Sequence, residues 1–291
     1  MALRQTTGSV VCPSCRSLVG VNDATCYSCG RRNPGLWGFA PLVRALGQDL
    51  GFGPLVMGLC GVLYVLSLII GGNFSHPEAT GGGLGVLSPS GPALQTLGAS
   101  GWVPVFYFGR WWTIFSAGWL HGGALHIVMN MLWVRQLAPA VAYVYGPGRA
   151  IIIYVVAGAC GFLLSSVMAF VPLPLLHGAT LTVGASAPIF GMFGALVCYG
   201  RMGGSSLITG EIKSYALIVF LFGLVIPGVD NWAHAGGFLG GYALARWLNP
   251  FREERLDHLL GAFACILITF ASIAASVISF LRLIVASRGP A

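Results

Sequence analysis

Three short stretches of the chain carry side chains able to do acyl-transfer chemistry. In Gly184-Ala185-Ser186-Ala187-Pro188 a glycine and a proline bracket a serine at the expected start of a helix. A hydroxyl there stands among the unpaired N–H groups and the positive dipole end of the helix, which suit a developing oxyanion. The same position suits a plain N-cap, the commoner use of such a serine. In Ala233-His234-Ala235-Gly236-Gly237-Phe238-Leu239-Gly240-Gly241 the histidine falls on the face that Gly237 and Gly241 form. Gly191 and Gly194 offer a matching smooth surface downstream of Ser186. Contact between the two helices would bring imidazole to hydroxyl, giving a base to a nucleophile that is weak unaided. Taken alone, His234 reads equally well as a histidine that hydrogen-bonds a neighbouring helix.

The third stretch holds His126 and Asn130, whose i, i+4 spacing sets two donors on one helix face. With the Ser186 N–H they form what an oxyanion hole requires, or else a pair of interhelical hydrogen bonds. Asp230, four residues before His234, could orient it as in a triad. Its expected place at the aqueous edge favours a two-residue Ser/His arrangement instead. His121 is expected in the same helix as His126, near its outer end and in a structural role. A metal site of His121, His126 and His234 is disfavoured. Their i, i+5 pair falls on different helix faces, no intramembrane carboxylate stands ready as base, and His-Glu-x-x-His is absent. His76, His177 and His258 are expected at loops or edges without function.

These residues lie in a chain that is 56% hydrophobic and 8% charged, against roughly 25% charge in an ordinary soluble domain. The 43 glycines fit membrane helices that approach closely where lipid supplies no hydrophobic drive between them. Apolar runs near 54–71, 115–137, 149–171, 185–202, 214–229, 232–249 and 259–284 are each long enough to cross a hydrocarbon core roughly 30 Å thick. With the N-terminus inside, twelve of the fifteen basic residues flank the cytoplasmic side and only Arg110, Arg282 and Arg288 fall outside. Positive charge is retained inside, so the N-terminus is expected in the cytoplasm and the C-terminus outside. The net charge of +7 then reflects topology, and no nucleic-acid partner is expected. No cleavable signal peptide is expected, because the first forty residues are polar. The segment 72–114 ends in Trp102-Val103-Pro104-Val105-Phe106-Tyr107-Phe108 with Trp111 and Trp112, rings suited to the membrane interface.

Cys12-Pro-Ser-Cys15 and Cys26-Tyr-Ser-Cys29 form two Cys-x-x-Cys pairs ten residues apart, the pattern of a four-thiolate structural zinc site. So small a segment needs metal to fold, and a reducing side argues against disulfides. Regulation or docking of a cytoplasmic partner is the expected role. Cys60, Cys160, Cys198 and Cys265 are scattered through apolar runs and read as small hydrophobes.

His121…His126…Asn130 in one helix, Gly184-Ala185-Ser186 opening another and Ala233-His234-x-x-Gly237-x-x-x-Gly241 in a third resemble the rhomboid family of intramembrane serine proteases, over about residues 50–250. The resemblance implies an all-α polytopic membrane protein. Its parts would be a zinc-ribbon-like module over 1–35, a linker over 36–53, a rhomboid-like six-helix core over 54–250, and a seventh transmembrane helix with tail over 251–291. It implies Ser186 as nucleophile and His234 as general base, with His126, Asn130 and the Ser186 N–H holding the oxyanion. Phe190 matches the place of an aromatic ring packed on the catalytic histidine. Substrates would be single-pass membrane proteins whose helix unwinds locally, and no cofactor would serve the chemistry. A catalytically silent relative that binds membrane helices is the rival, and an inverted-repeat transporter is disfavoured. Two positions depart from the family. Ala187 stands where glycine is usual, setting a methyl against the oxyanion region, and Arg110-Trp111-Trp112-Thr113 stands in place of a Trp-Arg pair.

Overall fold

The computed structural model describes residues 5–39, 46–71, 87–171, 177–203, 206–226 and 228–287. The chain divides into two compact units, Met1–Gly51 and Phe52–Ala291. In the first, strand β1 (Ser9–Val11) pairs antiparallel with β2 (Leu18–Gly20). Two tight loops carry the cysteine pairs. Cys12 N–H donates to the Ser17 carbonyl and Cys26 N–H to that of Arg31, while Arg16 and Gly30 N–H fold back on the Cys12 and Cys26 carbonyls. Both loops turn through left-handed backbone, at Arg16 (φ +62°) and Gly30 (φ +73°). Only the second loop has the glycine that adopts this conformation without steric cost. Val10, Val19 and Val21 bury with Cys12 and Cys26, and Leu36, expected in the linker, packs on them.

The second unit is helical. Its elements are α1 (Phe52–Gly71), α2 (Gly91–Leu97), α3 (Thr113–Ser116), α4 (Ala124–Tyr145), α5 (Pro147–Met168), α6 (Ser186–Arg201), α7 (Ser206–Val225), α8 (Asn231–Leu248) and α9 (Leu256–Ser287). The helices α1, α4 and α5, with Leu256–Arg282 of α9, are each long and apolar enough to cross a membrane. These spans mark an integral membrane protein.

The second apolar run does not start its helix at 115 as expected. Instead α3 and a 3-10 turn (Ala117–Trp119) come first, the chain extends at Leu120, and α4 begins only at Ala124. His121 therefore precedes the helix that carries His126 and Asn130, a correction to the sequence expectation. Helix α7, expected from the fifth apolar run, also begins earlier than that run, at Ser206, its polar first turns being invisible to an apolar-run criterion. His76 lies outside the described residues.

Helix α6 is buried without interruption from Ala187 to Cys198. A helix apolar on every side belongs inside a bundle, with neighbours all round. Those neighbours reach it through glycine. A Cβ at Gly237 would strike the Ala187 carbonyl, one at Gly241 the Gly191 carbonyl, and one at Gly194 the Phe238 carbonyl. Helix α5 closes on the same pair: a Cβ at Gly161 would strike the Ala233 carbonyl, and one at Gly236 would stand 2.9 Å from the Cys160 carbonyl. In lipid, such backbone-to-backbone approach is what binds helices. Gly237→Val is expected to lower stability by about 3 kcal/mol or more, because a side chain must displace main chain and not a flexible neighbour. Thermal unfolding of the purified protein in detergent, beside the lipid-facing Leu239→Val, measures it.

Candidate active site

The segment that delivers Ser186 is held at several points. Ser100 and Thr182 exchange both backbone hydrogen bonds (3.1 and 2.8 Å), and Gly184 N–H donates to the Ala117 carbonyl at 3.0 Å. Gly184 then turns at φ +135°, a backbone open to glycine alone, and α6 starts at Ser186. Pro188 has no N–H, so among the first three helical residues Ser186 and Ala187 supply the backbone donors. Ser186 is half-buried, while every residue from Ala187 through Cys198 is buried.

His126 lies beside this turn. A Cβ placed on Gly184 would stand 2.7 Å from both Cε1 and Nε2 of His126 and 3.5 Å from Ser186 Oγ. Gly184 is therefore needed twice, for its φ and for the space the imidazole takes. His121, assigned a structural place by sequence, reaches the same turn: its Nε2 accepts from Ala185 N–H at 3.5 Å, and its ring meets that of His126 edge-on at 5.1 Å. Its signal in the sequence is an ionisable side chain beside a membrane helix, and an apolar run unbroken from 115 conceals that it lies ahead of the helix. Asn130 commits one amide N–H to its own helix, donating to the His126 carbonyl at 2.9 Å.

His234 is 4% exposed and stacks flat on Phe190, with centroids 4.2 Å apart and planes 13° from parallel. Phe190 is one turn beyond Ser186 on α6, and Gly237, one turn beyond His234, abuts the Ala187 backbone. Imidazole and hydroxyl are thus carried at the level of the first turn of α6. Asp230 does not orient the ring. Its carboxylate caps α8 by accepting from Ala233 N–H at 3.0 Å and accepts the Ser165 hydroxyl at 2.6 Å, while His234 Nδ1 has no partner among the described residues.

Ala187 is fully buried, packed with Ala117, Phe162 and Ala233. Its methyl faces Gly161, where a Cβ would stand 3.0 Å from it. The methyl is thus taken up in the helix packing, contrary to the expectation that it crowds the oxyanion region.

In the first unit, Cys12, Cys15, Cys26 and Cys29 bring their sulfurs within 4.8 Å of one another, none in a disulfide. The Cys12–Cys29 and Cys15–Cys26 separations are 3.8 and 3.6 Å. Four thiolates at about 2.3 Å from one tetrahedral ion stand about 3.8 Å apart, so the cluster has the dimensions to hold a metal. Hydrogen bonds from Ser17, side chain and then backbone, lower the Cys15 thiol to about 6. Although a backbone hydrogen bond from Arg31 favours its thiolate, desolvation and the neighbouring cysteines push Cys29 up to about 12. A bound cation relieves that crowding of charge.

Fold and site together define a class: a polytopic helical membrane protein in which glycine-packed helices set a helix-start serine level with a buried, ring-stacked histidine. Residues 108–251 match the family model described as Rhomboid domain, and the chain carries a domain of the rhomboid family there. It is 32% identical over 170 residues to "RHOMBOID-like protein 7" of Arabidopsis thaliana, covering 55% of this chain and 50% of that protein. It is 34% identical over 169 residues to "RHOMBOID-like protein 6, mitochondrial" of the same plant, covering 54% and 50%. With "Rhomboid protease GluP" of Bacillus subtilis (strain 168) it shares 33% over 141 residues, 47% of this chain and 26% of that one. The chain thus spans half or less of the length of these relatives.

Asp230→Ala removes a helix cap and the partner of a buried hydroxyl. It is expected to cost about 2 kcal/mol of stability, measured by thermal unfolding, with the Phe190–His234 stack retained in a structure of the variant.

Proposed function

We propose that the protein is an intramembrane serine endopeptidase that cuts the membrane helices of single-pass proteins. The observation that carries this reading is the placement of His234, stacked on Phe190 one helical turn from Ser186 on a helix whose glycine abuts Ala187. In this reading Ser186 Oγ attacks the scissile carbonyl and His234 takes its proton, later returning it to the leaving amine. No carboxylate serves, since Asp230 is engaged elsewhere. The oxyanion is held by the Ser186 N–H at the start of α6, by His126 beside Gly184 and by Asn130, whose second amide N–H turns to it. The relative from Bacillus subtilis, whose name includes "protease", supports an enzyme over a silent helix-binding relative. The packing of Ala187 with Ala117, Phe162 and Ala233 also favours this reading.

The four-cysteine cluster is assigned a structural zinc ion, in a cytoplasmic module that docks a partner, with the C-terminus on the outer side. The ion has no part in the chemistry. Cys26→Ser is expected to lose the metal, read by elemental analysis of the purified protein, and to expose the first fifty residues to protease.

Cleavage of a labelled transmembrane substrate in lipid tests the catalytic reading. Ser186→Ala and His234→Ala are expected to abolish cutting at unchanged thermal stability, and His126→Ala to lower kcat by about 10²-fold. If the parent protein cuts none of several substrates and a fluorophosphonate leaves Ser186 unlabelled, the silent helix-binding reading replaces this one.

A further inference from the structure

Helix α9 lies beyond the matched residues 108–251, and its outer faces are apolar and exposed, at Leu267, Ile268, Phe270 and Ile278. One face departs from that. Thr269, Ser272 and Ser276, spaced three and four residues apart, are all buried, at 1%, 3% and 0% exposure. Polar groups on one face of a membrane helix are costly unless something receives them. Two of the three meet the segment between α2 and α3. Ser272 Oγ donates to the Trp112 carbonyl at 2.6 Å, and Trp112 Nε1 donates to Ser276 Oγ at 3.1 Å. Arg110, 4% exposed, inserts its Nη2 between the Ser276 carbonyl (3.1 Å) and the Gln95 carbonyl (3.0 Å).

The contacts continue inward. Thr113 Oγ1 bonds the Arg110 carbonyl at 2.8 Å and Ser100 Oγ at 3.3 Å. Ser116 Oγ donates to the Gly98 carbonyl at 2.7 Å, and a Cβ at Gly98 would stand 2.9 Å from Ser276 Oγ. Ser100 pairs through both backbone groups with Thr182, two residues before Gly184. An unbroken run of hydrogen bonds and close contacts thus leads from Ser272 and Ser276 to the turn that presents Ser186.

We infer that α9 is a positioning element of the site: the Ser272 and Ser276 hydroxyls, acting through Trp112, hold the 98–113 segment and through it the 180–184 segment that sets Ser186. This rests on the proposed protease activity only for its kinetic consequence, since the positioning itself is a property of the fold. It also accounts for Arg110-Trp111-Trp112, which departs from the family's usual pair. Here the arginine and the second tryptophan face a partner outside the matched region.

The test is the Ser272→Ala/Ser276→Ala double variant in lipid, with Ser279→Ala as a control on the same helix. Amide exchange of residues 98–104 and 180–184 is expected to rise in the double variant and stay at the parent rate in the control. For a cleaved substrate, kcat is expected to fall about tenfold with KM unchanged, the signature of a displaced nucleophile and not of lost binding. Unchanged exchange at 180–184 in a double variant that remains folded overturns the inference, whatever the activity. Raised exchange with kcat intact also overturns it, leaving α9 a brace without a catalytic role. A parent protein that neither cuts nor labels defeats the protease reading instead, and exchange at 180–184 alone then decides the positioning.

Discussion

The structure depends on main chain meeting main chain where α8 crosses α6. Gly237 and Gly241 lie against the carbonyls of Ala187 and Gly191, and Gly194 lies against that of Phe238. Lipid tails are as apolar as leucine, so burying larger side chains there would gain little. Close approach gains dispersion, which only small residues permit. The same contact fixes the register of the two helices, because glycine backbone abuts a particular carbonyl and a slip of one residue would bring a side chain into it. That register sets His234 level with the first turn of α6.

Once register is fixed, the polar groups fall into place around it, each with a specific receiver. Asp230 caps α8 and binds Ser165, and Ser165 Oγ in turn accepts Ala179 N–H at 3.1 Å, so α5 and α8 together hold the chain leading to Ser186. Among the described residues His234 has no partner at Nδ1, and the flat stack on Phe190 is what constrains its ring. A ring face restrains tilt while leaving both nitrogens unengaged by the stack itself. That suits an imidazole in the proposed role of taking a proton and giving it back.

What could be read from sequence divides along physical lines. Ser186 and His234 stand out as candidates because ionisable or nucleophilic side chains are scarce in apolar surroundings, the four cysteines because of their paired spacing, and the glycine faces because helical spacing is fixed. Helices α1, α4, α5 and α9 are legible from apolar length, yet the start of α4 is not: an apolar run does not register that the chain passes through a 3-10 turn and extends at Leu120, so His121 falls before the helix and not in it. The bond from Asp230 to Ser165 and those from Arg110 and Trp112 to α9 join residues 65, 166 and 164 positions apart. No local pattern encodes such pairs, and they appear only when the fold brings them together.

Ala187 shows the same limit at a single site. Judged on its own helix, a methyl replacing hydrogen beside Ser186 reads as an obstruction. Its position in the bundle decides otherwise, since the methyl faces Gly161 on α5, within a cluster of Ala117, Phe162 and Ala233. A Cβ at Gly161 would strike the Ala233 carbonyl and press on the Ala187 methyl, so the space that α6 occupies at this level is given up by α5. Interiors tolerate exchange when the volume of the facing pair is kept, and the pair, not the position, is then the unit that carries the constraint. With glycine on α5 and alanine on α6, the helices keep their approach and the face of α6 that holds the Ser186 hydroxyl is left to the turn at Gly184 and the ring of His126.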